Sequence, residues 1–236
     1  LAQREEVAVT IPPPLRLAVF DCDGTLVDSQ HSIVAAMRAA CAAHELAEPS
    51  AENIRRVVGL HLLEAIRALL PTEPDDTIER VHAGYIAAFR DLRERNLVQD
   101  PLYPGAREAI ECLNVTGWLL GVATGKSHRG LMATLERHVL ADRFVTLQTA
   151  DRAAGKPHPE MLHKAMAEAG ADPSATVMIG DTTFDMTMAR AARTRAVGVA
   201  WGYHHADELR AAGADCIVSR FAELPAALAA LMGEAT

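Results

Sequence analysis

Basic charge is in short supply in this sequence. Its 236 residues carry 31 Asp and Glu against 23 Lys and Arg, a formal net charge of −8. With a pI near 5.7 and no basic run, nucleic acid is not expected as a partner. Lysine is rarer still: Lys126, Lys156 and Lys164 are the only three, and every other basic residue is arginine. A chain that uses arginine almost everywhere has a reason for each lysine it keeps. Aromatics are scarce as well, with two Trp, three Tyr and five Phe, so the core must be built from Ala, Leu and Val.

The four cysteines, Cys22, Cys41, Cys112 and Cys216, show no metal-pair spacing. A chain of this length needs no disulfide staple, which points to a reducing, cytoplasmic compartment. No apolar run approaches a membrane span, so no membrane partner is expected. Residues 1–14 hold acidic residues and end in Pro12-Pro13-Pro14. They read as a loose tail and not as a secretory signal.

What is present falls into two grammars. LRLAVF at 15–20 is a short apolar run that reads as a buried strand. Residues 28–100 contain only helical patterns, among them HSIVAAMRAACAAHEL, a helix from about His61 to Leu70, and a long one over 75–95. That last segment places Asp near its start and Arg near its end, as the helix dipole favours. From Pro101 onward strands and helices alternate: WLLGVAT, RFVTLQTA, ATVMIGD, AVGVAW and the weak ADCIVS, each separated by a helical segment. Alternation predicts a parallel α/β sheet covered on both faces. The chain thus divides into a core, 15–27 with 101–236, and a helical insertion, 28–100.

Ligands of open parallel sheets bind beyond the carboxyl ends of the strands. The segments found there are Asp21-Cys22-Asp23-Gly24-Thr25, Thr124-Gly125-Lys126-Ser127, Gly155-Lys156-Pro157, Gly180-Asp181-Thr182-Thr183-Phe184-Asp185 and Trp201-Gly202-Tyr203-His204-His205. Carboxylates crowded at one sheet edge repel one another, and a hard divalent cation resolves the conflict. Mg²⁺ completes its shell with water and phosphate. A phosphate also calls for a lysine, a hydroxyl and free N–H groups, which Lys156, Thr124 and the turns holding Gly24 and Gly125 can supply. Of the pair Asp21 and Asp23, one carboxylate can attack phosphorus while the other moves the proton.

DCDGTLVDS resembles motif I of the haloacid dehalogenase superfamily. Thr124 at a strand end resembles motif II, Lys156 in GKPHPE motif III, and GDTTFD motif IV. The helical block at 28–100 is similar to the cap that many members insert after motif I, and the likeness is greatest to the phosphoglycolate-phosphatase-like group. The resemblance implies a Rossmann-like core and a Mg²⁺-dependent phosphatase. It makes Asp21 the nucleophile and a metal ligand, and Asp23 the acid/base, binding metal through its carbonyl. Asp181 and Asp185 belong to the metal site, with Asp185 in the outer shell or holding Lys156. Thr124 and Lys156 would hold the phosphoryl oxygens. An Asp at position 23, where dehalogenases carry an aromatic and phosphonate-cleaving members an alanine, implies phosphate esters. One departure is Gly125, where phosphoglycolate-phosphatase relatives often carry Asn.

The expected partner is a small phosphorylated metabolite, for a monomer or homodimer. A sugar-phosphate mutase or other phosphotransferase of the same fold, and a non-catalytic phosphometabolite-binding protein, are the alternatives. Several residues have rival readings. Thr182-x-x-Asp185 also fits a capping box. Lys126 sits in a P-loop-like GVATGKS that follows the wrong strand, and reads as a peripheral helper or surface residue. Cys22 reads as a packing residue. His204 and His205 are candidates for the site rim. In the helical block, Arg55, Gly59 and His61 surround a break between two helices and are the specificity candidates.

Overall fold

The computed structural model describes residues 15–233. The predicted tail at 1–14 lies outside them. Six strands form one parallel sheet: β1 (Arg16–Phe20), β2 (Trp118–Thr124), β3 (Thr146–Thr149), β4 (Thr176–Gly180), β5 (Arg195–Val199) and β6 (Cys216–Val218), in the order β3-β2-β1-β4-β5-β6. β1 is central. It pairs with β2 from Arg16↔Trp118 to Phe20↔Val122 and with β4 from Leu17↔Thr176 to Phe20↔Ile179. The order reverses at β1, so the crevice favoured for ligands opens beside its carboxyl end.

Side chains alternate across a strand, and β1 shows it. Ala18 and Phe20 join one core with Val122, Ile110 and Leu131. Leu17 and Val19 join the other with Met161, Leu162 and Met186. Both faces are therefore buried, as a continuous apolar strand requires.

After β1 come four helices that form the inserted segment: α1 (Gln30–Ala42), α2 (Ala51–Val57), α3 (Leu62–Leu69) and α4 (Asp75–Glu94). They have a core of their own, with Ile33, Met37, Ile54, Ile66, Ile78 and Val81. Ser50 caps α2 by accepting from the Asn53 N–H at 3.1 Å. The α2–α3 connection is short, and Gly59 takes a left-handed φ of 101° in it. His61 lies outside α3 and caps it, its Nδ1 accepting from the Leu63 N–H at 3.4 Å.

Six more helices clothe the sheet: α5 (Ala106–Val115), α6 (His128–Arg137), α7 (Glu160–Ala169), α8 (Thr183–Ala192), α9 (Ala206–Ala212) and α10 (Leu224–Leu231). Among the described residues no helix is long and apolar enough to cross a membrane.

Candidate active site

Four ionisable side chains meet at the carboxyl end of the central strands with no more than 1% exposure: Asp21, Lys156, Asp181 and Asp185. Lys156 Nζ lies 2.8 Å from Asp21 Oδ1 and 2.6 Å from Asp185 Oδ1. Burial works against a charged lysine, but Asp185 and then Asp21 outweigh it and hold the ammonium above its usual range. One lysine cannot neutralise three carboxylates. Burial, with Asp185 and Asp23 adding repulsion, pushes Asp21 up to about 7 despite Lys156. Burial and the neighbouring Asp21 and Asp185 carboxylates likewise raise Asp181 well above the usual range.

The backbone around Asp181 is shaped to accept a carboxylate. Thr25 Oγ1 donates to Asp181 Oδ1 at 2.8 Å, and the Tyr203 N–H donates to Oδ2 at 2.9 Å. Gly24 has φ 85°, and a Cβ there would collide with the Asp181 carboxylate; one at Gly202 would do the same. Glycine at these two positions lets two loops close on Asp181.

Asp185 has two partners. Its Oδ2 accepts from the Thr182 N–H at 3.0 Å, while the Thr182 side chain accepts from the Asp185 N–H, completing the capping box of α8. Its Oδ1 faces Lys156. Asp185 thus caps α8 and faces Lys156 at once.

Asp23 turns its carboxylate toward the open side. Its Oδ1 accepts from Ser29 Oγ and pairs with Lys126 Nζ at 2.8 Å. Lys126 is therefore a site residue. Its side chain is 12% exposed, and its ammonium lies 5.9 Å from the centre of the Phe89 ring. Burial opposes its charge, and Asp23 more than restores it. Of the two expectations for Lys126, the surface residue does not hold, because Asp23, distant in sequence, turns toward it; its place beside Asp23 fits the other, a helper. Cys22 is fully buried, with its thiol pushed well above the usual range by burial and then by Asp23, which fits a packing role.

Asp21 and Asp23 open into a cavity of about 510 Å³ that Thr124, Gly125 and Lys126 border on the sheet side and Gly59 and His61 on the helical side. The α2–α3 turn sits directly on the strand-end loops. A Cβ at Gly125 would lie 2.8 Å from the Leu60 carbonyl oxygen, and one at Gly155 would lie 3.0 Å from His61 Cβ. The absent side chain at position 125 is what lets the turn seat there.

Three other candidates lie elsewhere. Arg55 does not border the cavity; it donates to Gln30 Oε1 at 3.4 Å. Its neighbour Arg56 forms a double hydrogen bond to Glu208 on α9, at 2.7 and 2.5 Å. His204 is 6% exposed and edge-on to Phe184. Its Nδ1 accepts from the Thr183 N–H at 3.1 Å, so its Nε2–H donates to the Arg56 carbonyl at 3.1 Å. His205 caps α9. His204 ties the sheet edge to α2, and neither histidine borders the cavity.

Comparison with known proteins agrees with this geometry. The family model described as "Haloacid dehalogenase-like hydrolase" matches residues 18–199. The chain is 40% identical over 219 residues to "Probable phosphatase IndB" of Dickeya dadantii, covering 92% of this chain and 94% of that one. It is 30% identical over 225 residues to a phosphoglycolate phosphatase of Agrobacterium fabrum, covering 93% and 95%. A crystal structure of a hydrolase from Pseudomonas syringae superimposes with a TM-score of 0.79 at 27% identity, covering 90% of this chain and 97% of that one. The chain belongs to the haloacid dehalogenase-like hydrolases, within their phosphoglycolate-phosphatase-like group.

Proposed function

We propose that this chain is a Mg²⁺-dependent phosphatase that hydrolyses a small phosphate monoester through an aspartyl-phosphate at Asp21. The observation that carries the reading is one buried cluster, Asp21, Lys156, Asp181 and Asp185, opening into a cavity beside a second carboxylate, Asp23.

The donor set fits a hard divalent cation. Ligand oxygens of Asp21, Asp181 and Asp185 lie within 4.8 Å of one another. Asp21 Oδ2 is buried and accepts no hydrogen bond. An orphaned carboxylate oxygen in a dry site is costly, and a cation would satisfy it. Asp21 and Asp181 would hold Mg²⁺ with the Asp23 carbonyl, and Asp185 would steady the arrangement through Lys156 and the α8 cap. Bound there, the ion would offset the negative charge of the phosphoryl group and of the carboxylates.

In the first step an Asp21 carboxylate oxygen attacks phosphorus, and the bond from phosphorus to the ester oxygen breaks. Asp23 gives its proton to the departing oxygen. In the second step Asp23 takes a proton from water, whose oxygen attacks phosphorus and frees Asp21 and inorganic phosphate. Lys156, Thr124 and the N–H groups of the Gly24 and Gly125 turns would hold the phosphoryl oxygens. Residues 28–100 would act as a cap over the cavity, excluding water once substrate is bound.

The test is phosphate release from 2-phosphoglycolate, hexose phosphates, nucleoside monophosphates and pyrophosphate, with Mg²⁺ and with a chelator. The expected result is chelator-sensitive release that Asp21→Asn lowers by roughly 10⁴-fold or more, as loss of a nucleophile does elsewhere. Release by Asp21→Asn at the parent rate would overturn the mechanism. Transfer of phosphate to a sugar hydroxyl in place of release would assign the fold to a phosphotransferase.

A further inference from the structure

The cavity is much larger than the reaction needs, and its walls have a particular chemistry. A space of about 150 Å³ suffices for benzene. A two-carbon acid is smaller than benzene and would fill only a minor part of about 510 Å³. One continuous stretch of the wall is apolar: Met37 from α1, Ile54 from α2, Val58 from the turn, and Tyr85, Ile86 and Phe89 from α4. The rings of Tyr85 and Phe89 are 5.8 Å apart, making one aromatic wall. Ile86 is 42% exposed there.

What the walls lack is equally informative. Polyols and sugars are held by carboxylate and amide side chains that accept from their hydroxyls. Among the described residues bordering the cavity there is no Asn, Gln or Glu, and the one carboxylate besides Asp21 and Asp23 is Asp151. Asp151 is already engaged: its Oδ1 accepts from Thr149 Oγ1 at 2.6 Å and from the His128 N–H at 2.9 Å. The remaining charged groups at the cavity are cationic, Lys126, Arg90, Arg93 and Arg129. They suit the entry of a phosphate dianion, and of the neutral polar side chains there His61, Thr124 and Ser127 already accept from backbone N–H groups, which leaves His82 and the Tyr85 hydroxyl as the side-chain acceptors for a hydroxylated leaving group.

Resting on the phosphatase reading, we propose that the leaving group accepted here is an alcohol with an apolar or aromatic body, seated against Tyr85, Ile86 and Phe89. It is neither a two-carbon acid nor a sugar. Burying that body removes from water both the ligand's apolar surface and that of the cavity walls.

The experiment compares 3-phenylpropyl phosphate with propyl phosphate, whose leaving alcohols are alike at the reacting end, with 2-phosphoglycolate as the small acid. All are assayed with Mg²⁺ on the full chain. One extra methylene in an apolar pocket is worth about tenfold or more, so the phenyl ester should exceed the propyl ester in kcat/KM by at least that factor. Phe89→Ala should bring the ratio of the two toward one, and Ile86→Ser should lower it less; an internal ratio is insensitive to the fraction of folded protein. Turnover of all esters with no preference for the phenyl ester, or with 2-phosphoglycolate the best, would overturn the proposal and leave the phosphatase reading intact. If none is turned over, calorimetric binding to Asp21→Asn with Mg²⁺ decides. Tighter binding of the phenyl ester by about tenfold upholds the preference while the hydrolytic reading fails. Equal binding overturns both.

Discussion

Asp21, Lys156, Asp181 and Asp185 are at most 1% exposed and are held by strand ends and a helix cap, whereas across the same cavity Ile86 stands 42% exposed on a helix. The first region is charged, dry and cross-tied. The second is apolar and joined to the sheet through a turn resting on Gly125, one Arg–Glu pair and one histidine. Electrostatic stabilisation of a reaction requires dipoles and charges that do not reorganise, so they belong on the rigid sheet. Choosing and enclosing a leaving group requires a surface that can admit it, so it belongs on an element able to shift. On the proposed reading the two tasks would share one cavity but not one scaffold.

The sharpest way to break this contrast is to remove the buried cation. Lys156→Met keeps the volume of the side chain and leaves Asp21 and Asp185 without their partner. Breaking a buried pair typically costs about 3–5 kcal/mol. Urea unfolding in chelator should show a loss of that order, and Mg²⁺ should recover part of it. A loss below about 1 kcal/mol, the level of an exposed pair, would mean that the strand-end charges are not the rigid half of the molecule.

A second substitution probes the joint between the two regions. Gly125→Asn installs a Cβ that would lie 2.8 Å from the Leu60 carbonyl oxygen and 3.1 Å from that of Gly59. The turn must lift, and misplacement by about an ångström can cost roughly 10²-fold in rate. Steady-state kinetics should show kcat/KM falling by up to that factor, while the urea midpoint stays near that of the parent because all three cores are untouched. Unchanged kinetics would show that the turn does not need its seat on the strand-end loops.

These two substitutions also mark where sequence reading succeeded and where it could not. Asp21, Thr124, Lys156 and Asp181 each stand at or just beyond an apolar run or a glycine turn, and the strand order needs only local pattern and topology rules to bring them to one edge. Lys126 escaped because its meaning lies in Asp23, a partner no local spacing points to. Neither Arg55 nor its neighbour Arg56 borders the cavity: Arg55 donates to Gln30 and Arg56 pairs with Glu208. Adjacent helical residues differ in direction by roughly 100°, and sequence alone did not set the phase of so short a helix. His204 and His205 follow a strand end and so looked like rim residues, yet one is spent on Thr183 and Arg56 and the other on a cap. The cavity walls were illegible for a plainer reason. Met37, Ile54 and Phe89 fit the apolar stripes of helices, and a stripe looks the same whether it meets another helix or an open space.

The smallest effect expected is at the Arg56–Glu208 pair, where the helical segment meets α9. Both side chains are partly exposed, at 41% and 34%, so salt and water screen the pair. Arg56 nonetheless holds the Glu208 carboxyl down to about 2 through its hydrogen bonds, helped by the His205 N–H. A carboxyl whose folded pKa is depressed contributes stability that is present above its ordinary value and is lost as pH falls toward the folded one. Arg56→Ala should therefore lower the thermal midpoint slightly at pH 7. The difference from the parent should shrink as pH drops below about 4.5 and approach nothing near pH 2. A gap that stayed constant down to acid pH would assign the contribution of Arg56 to the packing of its stem. The segment would then be joined to the sheet by apolar contact, and the contrast between a charged fixed half and a loosely tethered selective half would have to be redrawn at this point.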